Sequence, residues 1–113
     1  MKINGTNISM IRGDTESIIV SYENLDGTKI DFIAGDTIYF TVKQGTNTEK
    51  KSFQKVITEF NDGKAIFEIT SEDTKDLSYR TYKYDVQFNT SDGKKRTIIP
   101  ASNFVISEEV TYE

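Results

Sequence analysis

The chain of 113 residues has no cysteine and no histidine. Without cysteine there is no disulfide, no thiolate metal site and no cysteine nucleophile. Without histidine the commonest general base and the commonest zinc ligand are missing as well. Proline occurs once, at Pro100, and no low-complexity stretch, internal repeat or interdomain linker is visible. Long apolar runs are also lacking. The longest aliphatic run, Ile18-Ile19-Val20, is far too short to span a bilayer, and Met1 to Asn7 has no apolar segment of the secretory type. The expectation is synthesis in a cytoplasm, with no membrane partner. Positive charge is in deficit, 14 Lys and Arg against 18 Asp and Glu for a net charge of −4. The protein therefore gains no general attraction to nucleic acid, which is not an expected partner.

Hydrophobic residues make up 35% of the chain and charged residues 28%, with a mean hydropathy of −0.52. That is an economical core, and aromatics fill it: seven Phe and six Tyr. The length fits one domain over residues 1–113. The clearest pattern lies between Thr81 and Asn89, where Tyr82, Tyr84, Val86 and Phe88 alternate with Lys83, Asp85 and Gln87. Period two is a strand with one wet face. Burying each of these large side chains is worth about 1.5–3 kcal/mol, so neighbouring strands must assemble against them.

The rest of the chain follows the same rule. Asn7–Ile11 reads as a first strand, ended by Arg12-Gly13-Asp14, and Ile18, Val20 and Tyr22 alternate in a second. Asn24-Leu25-Asp26-Gly27 is a turn, Lys29–Phe32 a brief edge strand, and Ile38, Phe40 and Val42 one face of a long strand. Lys50–Phe60 is an irregular strand that Asn61-Asp62-Gly63 should fold back antiparallel onto the strand from Ala65 to Thr70. Ser71 is placed to cap one helical turn with acids at its start. After Ser91-Asp92-Gly93 the chain returns through Lys95–Ile99. Pro100, lacking an N–H, should interrupt the ladder before Asn103–Ser107. The sum is an all-β, immunoglobulin-like antiparallel β-sandwich of about seven to nine strands. Leu77 and Tyr82 fit the tyrosine corner of such sandwiches, with Tyr82 bonding back to the chain before it.

Few residues suggest chemistry. Arg12-Gly13-Asp14 is the tripeptide that integrins read on mobile loops, but three-residue matches arise readily by chance, and a turn that uses Gly for freedom and Asp to bond its own backbone is the preferred reading. Lys94-Lys95-Arg96, with Lys50 and Lys51, reads as a phosphate or acidic-sugar patch or, more plainly, as a solvated strand end. Asp26, Asp36, Asp62, Asp73 and Asp76 lie in turns without the spacing of a calcium loop. No pair of carboxylates announces a glycoside hydrolase, although partners from distant strands escape a linear reading. The expectation is no catalytic residue, no metal and no cofactor. Tyr39, Tyr79 and Tyr112 are the candidate interface residues, as sandwich packing or as anchors for protein and sugar.

Arg12-Gly13-Asp14-Thr15, Ile38–Lys43, Ala65–Thr74, Tyr82–Gln87 and Ile99-Pro100 before Phe104-Val105-Ile106 stand in an order and spacing that cover nearly the whole chain. In these features it resembles small phage and prophage immunoglobulin-like proteins similar to the N-terminal domain of the siphophage baseplate upper protein. The resemblance implies a non-enzymatic virion structural or assembly protein, in a tail, baseplate or attached fibre. Its partners would be other virion proteins and other copies of itself. It also marks Asp85, in the Tyr82-Lys83-Tyr84-Asp85 run, for a partner on a neighbouring strand. A carbohydrate-binding or adhesion module and a capsid decoration protein are the alternatives.

Overall fold

The computed structural model describes residues 1–109. Alternation becomes strand wherever it was regular. The elements are β1 (Lys2–Asn4), β2 (Asn7–Ile11), β3 (Glu16–Val20), β4 (Tyr22–Glu23), β5 (Lys29–Ile30), β6 (Thr37–Lys43), β7 (Lys51–Ile57), β8 (Ala65–Ile69), α1 (Ser71–Thr74), β9 (Arg80–Asn89) and β10 (Lys95–Ser107). Three of these strands, β1, β4 and β5, have only two or three residues. They lift the number above the expected range.

The strands form an all-β sandwich of unequal layers. One is a six-stranded sheet in the order β1-β2-β10-β9-β6-β7, and the other is the pair β3-β8. A β4-β5 hairpin accompanies them. The run β10-β9-β6-β7 faced by β3-β8 is an immunoglobulin-like arrangement. All pairs are antiparallel except β2 with β10, which run parallel from Ile8 opposite Phe104 to Ile11 opposite Ser107.

The inward faces meet in one core. β9 contributes Tyr82, Tyr84, Val86 and Phe88, β6 contributes Ile38, Phe40 and Val42, and the smaller layer contributes Ile18, Val20, Ala65, Phe67 and Ile69. Phe32, from the loop before β6, plugs one end by packing on Phe60 and Phe88, with ring centroids 5.3 and 5.1 Å away.

Three local expectations are corrected. The turn at Asn61-Asp62-Gly63 forms, with Asn61 and Lys64 exchanging both backbone bonds at 3.0 Å, but β7 and β8 do not pair. β7 is committed to β6, and β8 to β3. The turn is instead docked on the segment before β6: the Phe32 N–H donates to the Gly63 carbonyl at 3.0 Å, and Gly63 holds φ 72° beside the Asp31 carboxylate, where a Cβ has no room. Second, Pro100 does not cut β10. Register shifts on either side of Ile99 turn that stretch into a bulge, which absorbs the missing donor. Third, the cap of α1 is Thr70 rather than Ser71.

Asp73 secures that helical turn. Its carboxylate accepts the Thr70 N–H at 2.7 Å and the Thr70 hydroxyl at 3.1 Å, and it pairs with the Lys55 ammonium at 2.7 Å. Burial pushes the Asp73 carboxyl up, but Lys55 and the Thr70 bonds outweigh it and hold the group below the usual range. Register sets Lys55 opposite Phe40, on the core side of β7. It thus closes the open margin between the layers.

The chain enters β9 through a corner. Leu77 packs against the core and its N–H donates to the Thr74 carbonyl at 2.9 Å, and the buried Tyr82 hydroxyl donates to the Ser78 carbonyl at 2.9 Å. Tyr82→Phe keeps the ring and removes the bond. It should cost about 1 kcal/mol, read as a lower urea midpoint with an unchanged slope. An unchanged midpoint would show that the corner bond does not contribute to stability.

Candidate functional site

Strand parity sends Tyr39, Thr41 and Lys43 of β6 to the outer face of the six-stranded sheet, and Lys83, Asp85, Gln87 and Asn89 of β9 to the same face. The β6–β9 register then sets Tyr39 opposite Gln87, Thr41 opposite Asp85 and Lys43 opposite Lys83. With Lys51 and Gln54 of β7 and Lys95 and Ala101 of β10 they line an open concavity of about 590 Å³. Side-chain bonds order its floor. Gln54 Nε2 donates to Thr41 Oγ1 at 2.8 Å, Lys51 Nζ donates to Gln54 Oε1 at 3.1 Å, and Lys83 Nζ donates to Asn103 Oδ1.

Among the described residues, Asp85 is the only carboxylate on this wall. The β10 bulge passes it by: Tyr84 pairs with Ser102 and Val86 with Ile99, so Asp85 has no register partner on β10. Burial raises its pKa, and the positive charge of Lys43 opposes that rise. One carboxylate facing ammonium groups offers no second acid or base for a paired-carboxylate hydrolysis. Nearby, Asn89 Oδ1 is buried with no hydrogen-bond partner among the described residues.

The other sequence candidates go elsewhere. Tyr79 lies against the core beneath the Arg12 guanidinium, 4.1 Å from its ring centroid, so its face is already occupied. Tyr112 lies outside the described residues. Leu77 and Tyr82 form the corner described above. In the Arg12-Gly13-Asp14 turn, Arg12 Nε donates to Glu109 and Nη1 to the Leu77 carbonyl, both at 3.2 Å. Gly13, at φ 87°, donates its N–H to the buried Thr74 hydroxyl at 2.9 Å. The tripeptide is folded against α1 rather than displayed. Lys94, Lys95 and Arg96 separate: Lys94 stands 3.9 Å from Asp92, Arg96 bonds the Tyr22 hydroxyl at 3.2 Å, and only Lys95 reaches the concavity.

The turn acids do turn work. Asp26 accepts the Thr28 N–H and Asp36 the Ile33 N–H, both at 2.9 Å. Among the described residues no group of His, Cys, Asp and Glu is arranged to hold a metal, and no helix is long and apolar enough to cross a membrane. Sequence reasoning put Tyr39 on the exposed face of its strand, but did not join it with Lys43, Lys83 and Asn89 on one wall. Alternation alone gave their common face; the register that brings them together has no local signal.

The raised pKa of Asp85 has a direct consequence. A carboxyl that titrates higher in the folded state contributes stability below its unfolded pKa and loses it as pH rises through the folded value. Near neutral pH the ionised form is therefore a cost, and Asp85→Asn should raise the urea midpoint there, with the gain vanishing under strongly acidic conditions. A variant less stable than wild type near neutrality would mean that the Lys43 contact outweighs desolvation.

Comparison with protein-family models, with curated proteins and with solved structures finds no match to the chain in any of the three.

Proposed function

We propose that the protein is a non-enzymatic structural or assembly module of a phage or prophage particle, a tail, baseplate or fibre adaptor that works by protein–protein docking. The observation that carries this reading is the imbalance of the layers. A six-stranded sheet is faced by only two strands, and among the described residues neither β3 nor β8 has a second strand partner. Their free margins offer main-chain donors and acceptors to an extended segment of another virion protein or of another copy. Between those margins Ile19 and Ile66 stand directly opposite each other and point outward, 65% and 41% exposed. An apolar cross-strand pair left in water beside unpaired edges suits a surface that is covered on assembly.

The sequence resemblance supports the virion setting, and the order of its motifs maps onto β6, β8, β9 and β10. A capsid decoration role would use the same margins. The carbohydrate-binding alternative is favoured by a different observation, the position of Tyr39 in the outer concavity, and concerns the opposite surface.

Mass spectrometry of purified particles from the source strain tests the proposal directly: the protein should be present in a fixed ratio to tail or head proteins, and its absence from particles would overturn the reading. In a strain carrying Ile19→Lys with Ile66→Lys, the protein should unfold within about 0.5 kcal/mol of wild type, since exposed positions tolerate such changes. Its incorporation into particles should nevertheless fall sharply. Full incorporation of a folded double variant would move the docking surface away from β3 and β8.

A further inference from the structure

The outer face of the six-stranded sheet carries a pattern that docking through β3 and β8 does not use. Lys43 and Lys83 are direct cross-strand neighbours, and like charges in that position destabilise a sheet. Lys51 and Lys95 add two more ammonium groups around the same concavity, whose only acid among the described residues is Asp85. The ion pairs among the described residues are made by other groups. A protein of net charge −4 has thus gathered a local excess of positive charge in a hollow, where the low-dielectric wall strengthens its pull on an anion.

The remaining chemistry of the wall narrows the anion. β6, β9 and β10 are interior strands, hydrogen-bonded on both sides, so their main chain has nothing to give an extended peptide. What the hollow presents is the side chain of Tyr39 in mid-strand and the amide of Gln87 opposite it. An aromatic surface with amides and ammonium groups around it matches a sugar ring, its hydroxyls and an acidic substituent. We infer that this face binds an anionic sugar, one bearing a carboxylate or a phosphate, with Tyr39 against the ring, Gln87 on a hydroxyl, and Lys43 and Lys83 around the acid group. Because it lies on the opposite surface from Ile19 and Ile66, its loss leaves docking intact.

The test is titration of the isotope-labelled full chain, followed by amide shifts and by calorimetry. The probes are oligogalacturonate, its neutral methyl ester, glucose 6-phosphate, inorganic phosphate and polyglutamate. Oligogalacturonate or glucose 6-phosphate should shift the amides of β6 and β9 around Tyr39 and Gln87, with affinity that falls as salt rises. The methyl ester should bind about tenfold more weakly or worse, and inorganic phosphate, lacking a ring, more weakly than glucose 6-phosphate. Tyr39→Ala and Lys83→Gln should each lower sugar affinity by about tenfold, with urea unfolding showing that both variants are folded. The inference is overturned if polyglutamate binds as tightly as the acidic sugars and ignores Tyr39→Ala, which would make the face an acidic-peptide site. It is equally overturned if the ester matches the acid, if inorganic phosphate matches glucose 6-phosphate, or if no probe shifts this face.

Discussion

Phe40 is fully buried and meets rings on every side. Tyr84 stacks on it at 4.9 Å, Phe53 lies parallel at 6.5 Å, and Phe104 presents an edge at 6.1 Å, all from its own sheet. Phe67, tilted at 5.4 Å, comes from the opposing layer. That last contact joins the layers at their centre. Aromatic pairs contribute about 0.5–1.5 kcal/mol beyond the area they bury, and a chain with 35% hydrophobic residues needs that concentration. The same economy shapes the exterior. Because packing is gathered around one ring, the smaller layer needs only two strands, and the margins of the larger sheet are closed by polar devices such as Lys55 on Asp73.

Much of this was legible in the sequence, and the reason is parity. Tyr82, Tyr84, Val86 and Phe88 announce a buried face because every second residue is large and apolar, and the same holds for Ile38, Phe40 and Val42. The corner at Leu77 and Tyr82 was visible because it is a local device, a hydroxyl reaching back four residues. Choices between distant partners were not visible. Asn61-Asp62-Gly63 has the chemistry of a hairpin turn, yet the strands around it part because Phe60 packs on Phe32 and the turn itself bonds to Phe32. Tyr79 looked like a surface anchor until Arg12, far away in sequence, covered its ring. Within the outer concavity, each lysine alone reads as a solvated strand residue. Only the registers of β6 with β9 and of β9 with β10 turn them into one charged wall.

The two surfaces of the sandwich differ in the kind of contact they offer. On the side of β3 and β8 the molecule offers unpaired strand margins and two exposed isoleucines, features recognised through backbone geometry and apolar area. On the opposite side every interior strand is paired, and recognition must come from side chains alone. The docking and the sugar binding proposed above would therefore use separate faces, with no residue shared between them.

The parallel pairing of β2 with β10 has a mechanical meaning. Tension applied to the chain before β2 and after β10 pulls these neighbours in opposite directions along their own length, because they run the same way. The ladder from Ile8 and Phe104 to Ile11 and Ser107 is then loaded as a set, and its hydrogen bonds must yield together rather than one at a time. An antiparallel pair in the same place would unzip from its end. The short β1 hairpin, antiparallel to β2, would peel away first and transfer the load to this clamp. A module joined to neighbours at both ends would in this way resist stretching through the geometry of one strand pair, without a disulfide.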